Sequence, residues 1–176
     1  MDVATAFYAA AAVLLVVAGV AKLVRPASAA LLMEDLGAPA SGLLSGPRLA
    51  RGVGAGESAL GVAALALEVP GVAVGVGMLY TLFSVTVVRA IAVGAESCGC
   101  FGRVEAPPSW VHVTGNAVFA VAAFAAASAS SPLEVMAGQP MGGVGFVVVV
   151  GVMAGLALTA FTALPEALAA SRPQGR

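Results

Sequence analysis

The chain has 176 residues, of which 60% are hydrophobic and 10% charged, with a formal net charge of −1. A soluble domain carries roughly 25% charged residues, so the polar surface needed to hide this much apolar matter from water is missing. A mean hydropathy of +1.03 leaves the lipid bilayer as the solvent, and the near-zero charge gives a nucleic acid nothing to hold.

Five stretches reach the roughly 20 apolar residues that a helix needs to cross a hydrocarbon core. In chain order they are 4–24, 49–69, 71–93, 110–129 and 143–164. Each is expected to be helical, because an open strand leaves its backbone unsatisfied in lipid. Neither 120–127 nor 147–150 shows the alternating polarity of a barrel strand. Proline marks the breaks: Pro26 after the first stretch, Pro70 between the second and third, and Pro107 and Pro108 before the fourth. Pro132 and Pro140 bracket the next connection and Pro165 closes the last stretch. Residues 27–36 predict a short amphipathic helix at the interface, and 171–176 a frayed tail. The predicted fold class is all-α, a polytopic transmembrane helix bundle of five spans forming one integral membrane domain. Gly52 with Gly56, Gly71 with Gly75 and Gly151 with Gly155 have the small-xxx-small spacing that predicts close helix approach. The glycine run 52–56 lacks the preceding strand and the Lys-Ser/Thr of a phosphate loop.

All eight basic residues fall on one side of this arrangement. Lys22, Arg25, Arg48 and Arg51 surround the first loop, Arg89 and Arg103 flank the third, and Arg172 and Arg176 lie in the tail. Positive-inside bias then predicts a multi-pass protein of the cell membrane with its N-terminus outside and its C-terminus in the cytoplasm. The N-terminus has no basic n-region, so the first span is expected to be a retained helix rather than a cleaved signal.

Both cysteines lie in one short segment, Cys98-Gly99-Cys100, after the third span. Two thiols one residue apart can close a small, strained disulfide ring of the labile kind, and such a ring closes too short a loop to stabilise the fold. A redox-active pair is the first expectation; a soft-metal pair and inert buried thiols are the alternatives. Arg103 favours a thiolate on Cys100, while Glu96 and Glu105 oppose it. Glu57 lies inside the second span, where an ionisable residue marks a functional site or a buried pairing. It is expected to relay protons, to bond across helices, or to snorkel toward Arg51. His112 and Asn116 are four apart and share a helix face. With Glu57 they would form a polar pocket for a quinone head group or a thiol partner; the plainer alternatives are helix–helix glue for Asn116 and an interfacial position for His112. Trp110 is expected to anchor at the interface, and Tyr8 and Tyr80 to pack.

Gly19-Val20-Ala21-Lys22-Leu23 followed by Pro26 resembles the end of the first helix in the MauE family, the methylamine-utilisation membrane proteins related to the DoxX-like group. Glu57 followed by Leu60-Gly61-Val62-Ala63 is similar to the second-helix motif of that family. Cys98-Gly99-Cys100-Phe101-Gly102 matches its most distinctive string, and Asn116 stands where the family carries an Asn at the start of the next helix. The resemblance covers about residues 15–120. It implies a four-helix core, here with one further C-terminal helix, that assists maturation of disulfide-containing secreted proteins alongside a thioredoxin-like partner. In the methylamine system the implied client is the small subunit of methylamine dehydrogenase. The expected function is therefore a thiol–disulfide redox module in which Cys98 and Cys100 cycle, supported by Glu57, Arg103, His112 and Asn116. A soft-metal or small-solute transporter and a non-catalytic scaffold are its rivals. One tension stands: the basic residues put the cysteines on the cytoplasmic side, whereas disulfides are formed outside.

Overall fold

The computed structural model describes residues 3–39, 41, 42, 45–99, 101, 107–165 and 167. Among them the elements are α1 (Val3–Val24), α2 (Ala27–Asp35), α3 (Gly46–Ala66), α4 (Pro70–Val93), α5 (Trp110–Ala126), α6 (Pro132–Ala137) and α7 (Val144–Thr162). A 3-10 turn over Pro140–Gly143 leads into α7. The chain is a polytopic helical bundle. α1, α4 and the run 140–162 are each long and apolar enough to cross a membrane, and α5 is an apolar helix of 17 residues. α3 is equally long but carries Arg48, Arg51 and Glu57.

Proline and glycine set the boundaries. Pro47 and Pro70 open α3 and α4 from extended residues, as their fixed φ and missing N–H allow. α3 consequently runs three residues ahead of the stretch 49–69: Pro47 starts it early, and Leu67 is already extended on the way to Pro70. Arg48 and Arg51 therefore ride on its first turns. Gly94 ends α4 in the left-handed conformation.

α1 is the central helix, touching α3, α5, α6 and α7. Its run Ala9–Ala12 is at most 1% exposed, and these small side chains let neighbours approach closely. The tightest approach is to α3. A Cβ at Gly54 would stand 2.7 Å from the Gly19 carbonyl oxygen, and one at Gly61 would stand 2.7 Å from that of Ala12. The glycine pairs singled out by spacing do not serve this purpose. A Cβ at Gly52, Gly56, Gly151 or Gly155 would meet nothing within 4 Å, and at Gly71 and Gly75 only ordinary contacts at 3.9 and 3.6 Å. Residues 52 and 56 are each two positions from Gly54, about 200° around the helix, so they face away from α1.

The helices alternate in direction, which gives the bundle two distinct ends. At one lie α2, the segment around Cys98, the start of α5 and the end of α7: a Cβ at Gly99 would meet α2, and Phe101 stacks on Phe161. At the other lie the α3–α4 turn and the α5–α6 connection, joined by Ser131 donating to Glu68 at 3.1 Å. Helix α2 does form over the interfacial segment, but Ser28, Ala29, Ala30 and Leu32 are buried, so it is a wall of the bundle rather than a surface float.

Candidate functional site

The site is built where the segment after α4 folds back onto α2. Ser97, Cys98 and Gly99 are all buried, and the Gly99 N–H donates to Ser97 Oγ at 3.2 Å. Gly99 has φ +64, and a Cβ there would stand 2.9 Å from the Ala29 Cα. A left-handed residue lying flat on a helix backbone must be glycine. Cys98 is 4% exposed and disulfide-bonded. Cys100 and Arg103 lie outside the described residues.

A cavity of about 220 Å³ opens behind Cys98. Of the six residues singled out from sequence, Cys98, Glu57, His112 and Asn116 all line it. Glu57 stands eleven residues into α3, about 16 Å along the helix and thus deep in the bundle. Its partner is Lys22, not Arg51: Lys22 Nζ donates to Glu57 Oε2 at 2.8 Å, with both side chains buried. Arg51 is exposed on the first turns of α3. The physical reason is the glycine contact between α1 and α3. Gly54 lies against the Lys22 Cβ, which brings the end of α1 close enough for the lysine to reach Glu57. Glu57 Oε1 is buried and makes no hydrogen bond.

The remaining wall is aromatic. The His112 ring stacks on Phe161 with centroids 5.6 Å apart and planes at 15°, and Phe161 in turn stacks on Phe101 at 6.0 Å. Gly115 makes room for the Phe161 ring, which would collide with any Cβ there. His112 Nδ1 is paired with Ser109 Oγ at 2.9 Å, which fixes the ring at the head of α5. Tyr80 donates to the Ala11 carbonyl at 2.8 Å and also borders the cavity. From sequence Lys22 stands in the MauE-like motif and among the basic flanks but not among the site residues, and Phe161 is not singled out. A lysine in the last turn of a span looks like an interfacial flank, and its distinguishing signs are its place in that motif and the helix face it shares with Gly19, three residues earlier. Phe161 carries no such sign, being one more apolar residue in an apolar helix. Trp110 is exposed at the head of α5.

Paired charges, a disulfide and stacked rings thus surround one largely apolar cavity. Comparison with known families is specific: residues 2–129 match the model of the family described as "Methylamine utilisation protein MauE". No curated protein and no solved structure matches the chain. The matched span holds Lys22, Glu57, Cys98, His112 and Asn116, whereas Phe161 and the rest of α7 lie beyond it.

Proposed function

Since the chain belongs to the MauE family of membrane proteins, we propose that it is a membrane-embedded thiol–disulfide redox module assisting the maturation of disulfide-containing secreted proteins. The observation that carries this is a disulfide-bonded Cys98 buried against a cavity that also holds the Lys22–Glu57 pair, His112 and Asn116. A bond between Cys98 and Cys100 encloses Gly99 alone, and closing so short a loop adds little stability. It serves exchange instead. All five long helices cross the membrane in this arrangement, with a thioredoxin-like protein as the exchange partner.

The proposed exchange gives the two sulfurs different roles. In this reading an incoming partner thiolate attacks Cys100, and Cys98, only 4% exposed, is the leaving sulfur. The sulfur–sulfur bond breaks, a mixed disulfide forms on Cys100, and Cys98 leaves as a thiolate. Lys22, paired with Glu57, lines the same cavity as Cys98. The partner's second thiolate then attacks the mixed disulfide, so the partner departs oxidised and Cys98 and Cys100 are left as a dithiol.

Work on exported proteins requires the pair at the exoplasmic face, opposite to the orientation favoured by the basic residues. Thiol labelling in intact cells decides between them. A membrane-impermeant maleimide is expected to modify the cysteines only after prior reduction, and Cys98→Ser is expected to abolish oxidation of a partner dithiol. Labelling by a permeant reagent alone would overturn the maturation role, and full exchange activity in Cys98→Ser would overturn the thiol chemistry.

A further inference from the structure

We propose that the cavity behind Cys98 is a quinone site, and that the quinone is the oxidant that regenerates the disulfide. The inference rests on the thiol chemistry above, which leaves a dithiol after each turnover and so needs a two-electron acceptor. Four independent features of the cavity describe that acceptor.

Size and shape come first. An apolar cavity of about 150 Å³ suffices for benzene, so about 220 Å³ accommodates a substituted ring or a fused pair of rings. The walls favour a flat aromatic ligand, since Phe161, His112 and Phe101 form a stacked series along one side. The second feature is the position of the reducing group: Cys98 itself lines the space.

The third feature is the pair Lys22–Glu57. Lys22 brings hydrogen-bond donors to the cavity, and Glu57 Oε1 is a buried acceptor with nothing bonded to it. Leaving such an atom unsatisfied is costly, so it points to a ligand that donates a hydrogen bond. A quinone needs both kinds of partner in turn. Its carbonyl oxygen accepts from an ammonium, and after reduction the hydroxyl at the same position donates to a carboxylate. Asn116 offers a donor and an acceptor on the opposite helix. Few other apolar molecules change from acceptor to donor during the reaction itself.

The fourth feature is a way in from the lipid. The cavity lining includes Leu82, which is 58% exposed on the outer surface of α4, along with Val53 of α3 and Met33 of α2. The space thus reaches the outside of the bundle through an apolar gap, from which the isoprenoid tail of a membrane quinone extends into the bilayer. The reaction balances without a further reagent. The Cys98 and Cys100 thiols lose two protons and two electrons and form one sulfur–sulfur bond; the quinone gains both electrons and both protons and becomes the hydroquinone. Glu57, as the carboxylate on the cavity wall, is the group to pass protons from the thiols to the quinone oxygen.

The test uses full-length protein in nanodiscs, reduced, freed of reductant and kept anaerobic. It is mixed with decylubiquinone or with a fully alkylated naphthoquinone, neither of which has a free ring position for a thiolate to add to. The expected result is loss of both thiols with one hydroquinone formed per disulfide, and the faster of the two rings identifies the head-group class. Glutathione disulfide serves as the comparison oxidant. Asn116→Leu and Leu82→Trp are expected to lower the ratio of quinone-driven to glutathione-driven oxidation about tenfold, whereas a damaged fold would lower both rates together. Thiols that persist with both quinones but are oxidised by glutathione disulfide would overturn the quinone site and leave the thiol chemistry standing. Thiols that resist glutathione disulfide as well would overturn the redox module itself.

Discussion

The two ends of the bundle handle polar groups in opposite ways. At the end formed by the α3–α4 turn and the α5–α6 connection, the side-chain hydrogen bonds cap a helix or tie neighbouring segments together, and they are exposed or only part-buried. Ser131 and Glu134 cap α6 reciprocally, Ser131 also reaches Glu68, and Thr5 donates to the Ser130 carbonyl at 3.0 Å. At the end around Cys98 the polar groups are inside. Lys22 and Glu57 are paired out of reach of water, Glu57 keeps an oxygen without a hydrogen bond, and Gly99 holds a left-handed backbone against α2. Stability alone would not arrange residues so, because desolvating an ion pair costs about as much as its attraction returns. The difference separates the end that ties helices together from the end where we propose that the thiol chemistry takes place.

The largest effect is expected from breaking the buried pair on one side only. Lys22→Met strands the Glu57 carboxylate among apolar side chains, and loss of one partner of a buried pair costs about 3–5 kcal/mol. The double variant Lys22→Met/Glu57→Leu, which removes both charges, is expected to recover more than half of that loss. Unfolding titrations in mixed detergent micelles give both values. A double variant as unstable as Lys22→Met and the single Glu57→Leu added together would show that the charges act independently, and the contrast between the ends would lose its main support.

A smaller effect is expected at the loop. Gly99→Ala must carry a side chain at φ +64 and place its Cβ 2.9 Å from the Ala29 Cα. The left-handed backbone and the overpacking together predict a loss of about 2–3 kcal/mol. Gly94 supplies the control, since its φ is +71 but a Cβ there meets nothing within 4 Å. Gly94→Ala should lose only the backbone part, about 1 kcal/mol. Equal losses at the two positions would mean that the seat of Gly99 on α2 contributes nothing.

Much of this architecture was legible in the sequence because the bilayer imposes a length and a composition on each span, and proline fixes where spans begin. The stretches 71–93 and 110–129 could be placed within a few residues of α4 and α5 for that reason. Pairings between helices were another matter. Spacing marked Gly52 and Gly56 as contact residues, yet the contact is made by Gly54 and Gly61, because spacing names a stripe without naming the face that meets a neighbour. The same ignorance of facing hid Lys22 as the partner of Glu57 and made Arg51, nearer in sequence, the candidate. Cys98, Glu57, His112 and Asn116 stood out by chemistry, being polar or reactive in an apolar background. Phe161 could not, since its role depends on Gly115 and His112 lying opposite it.

The smallest effect is expected at the far end, where Ser131 caps α6. Its Oγ accepts from the Glu134 N–H at 3.1 Å, and Glu134 Oε2 accepts from the Ser131 N–H at 3.2 Å. Ser131→Ala removes one of these bonds and the link to Glu68. Losing an N-cap side chain costs about 1 kcal/mol, and here water can take over part of what is lost because both bonds are exposed. The oxidation rate of the cysteine pair should stay at the wild-type value, since nothing at that end touches the cavity. Rates measured beside detergent unfolding would separate the two quantities. A change in the rate without a change in stability would mean that the α5–α6 connection communicates with Cys98 through the central helix, and that the two ends are not independent after all.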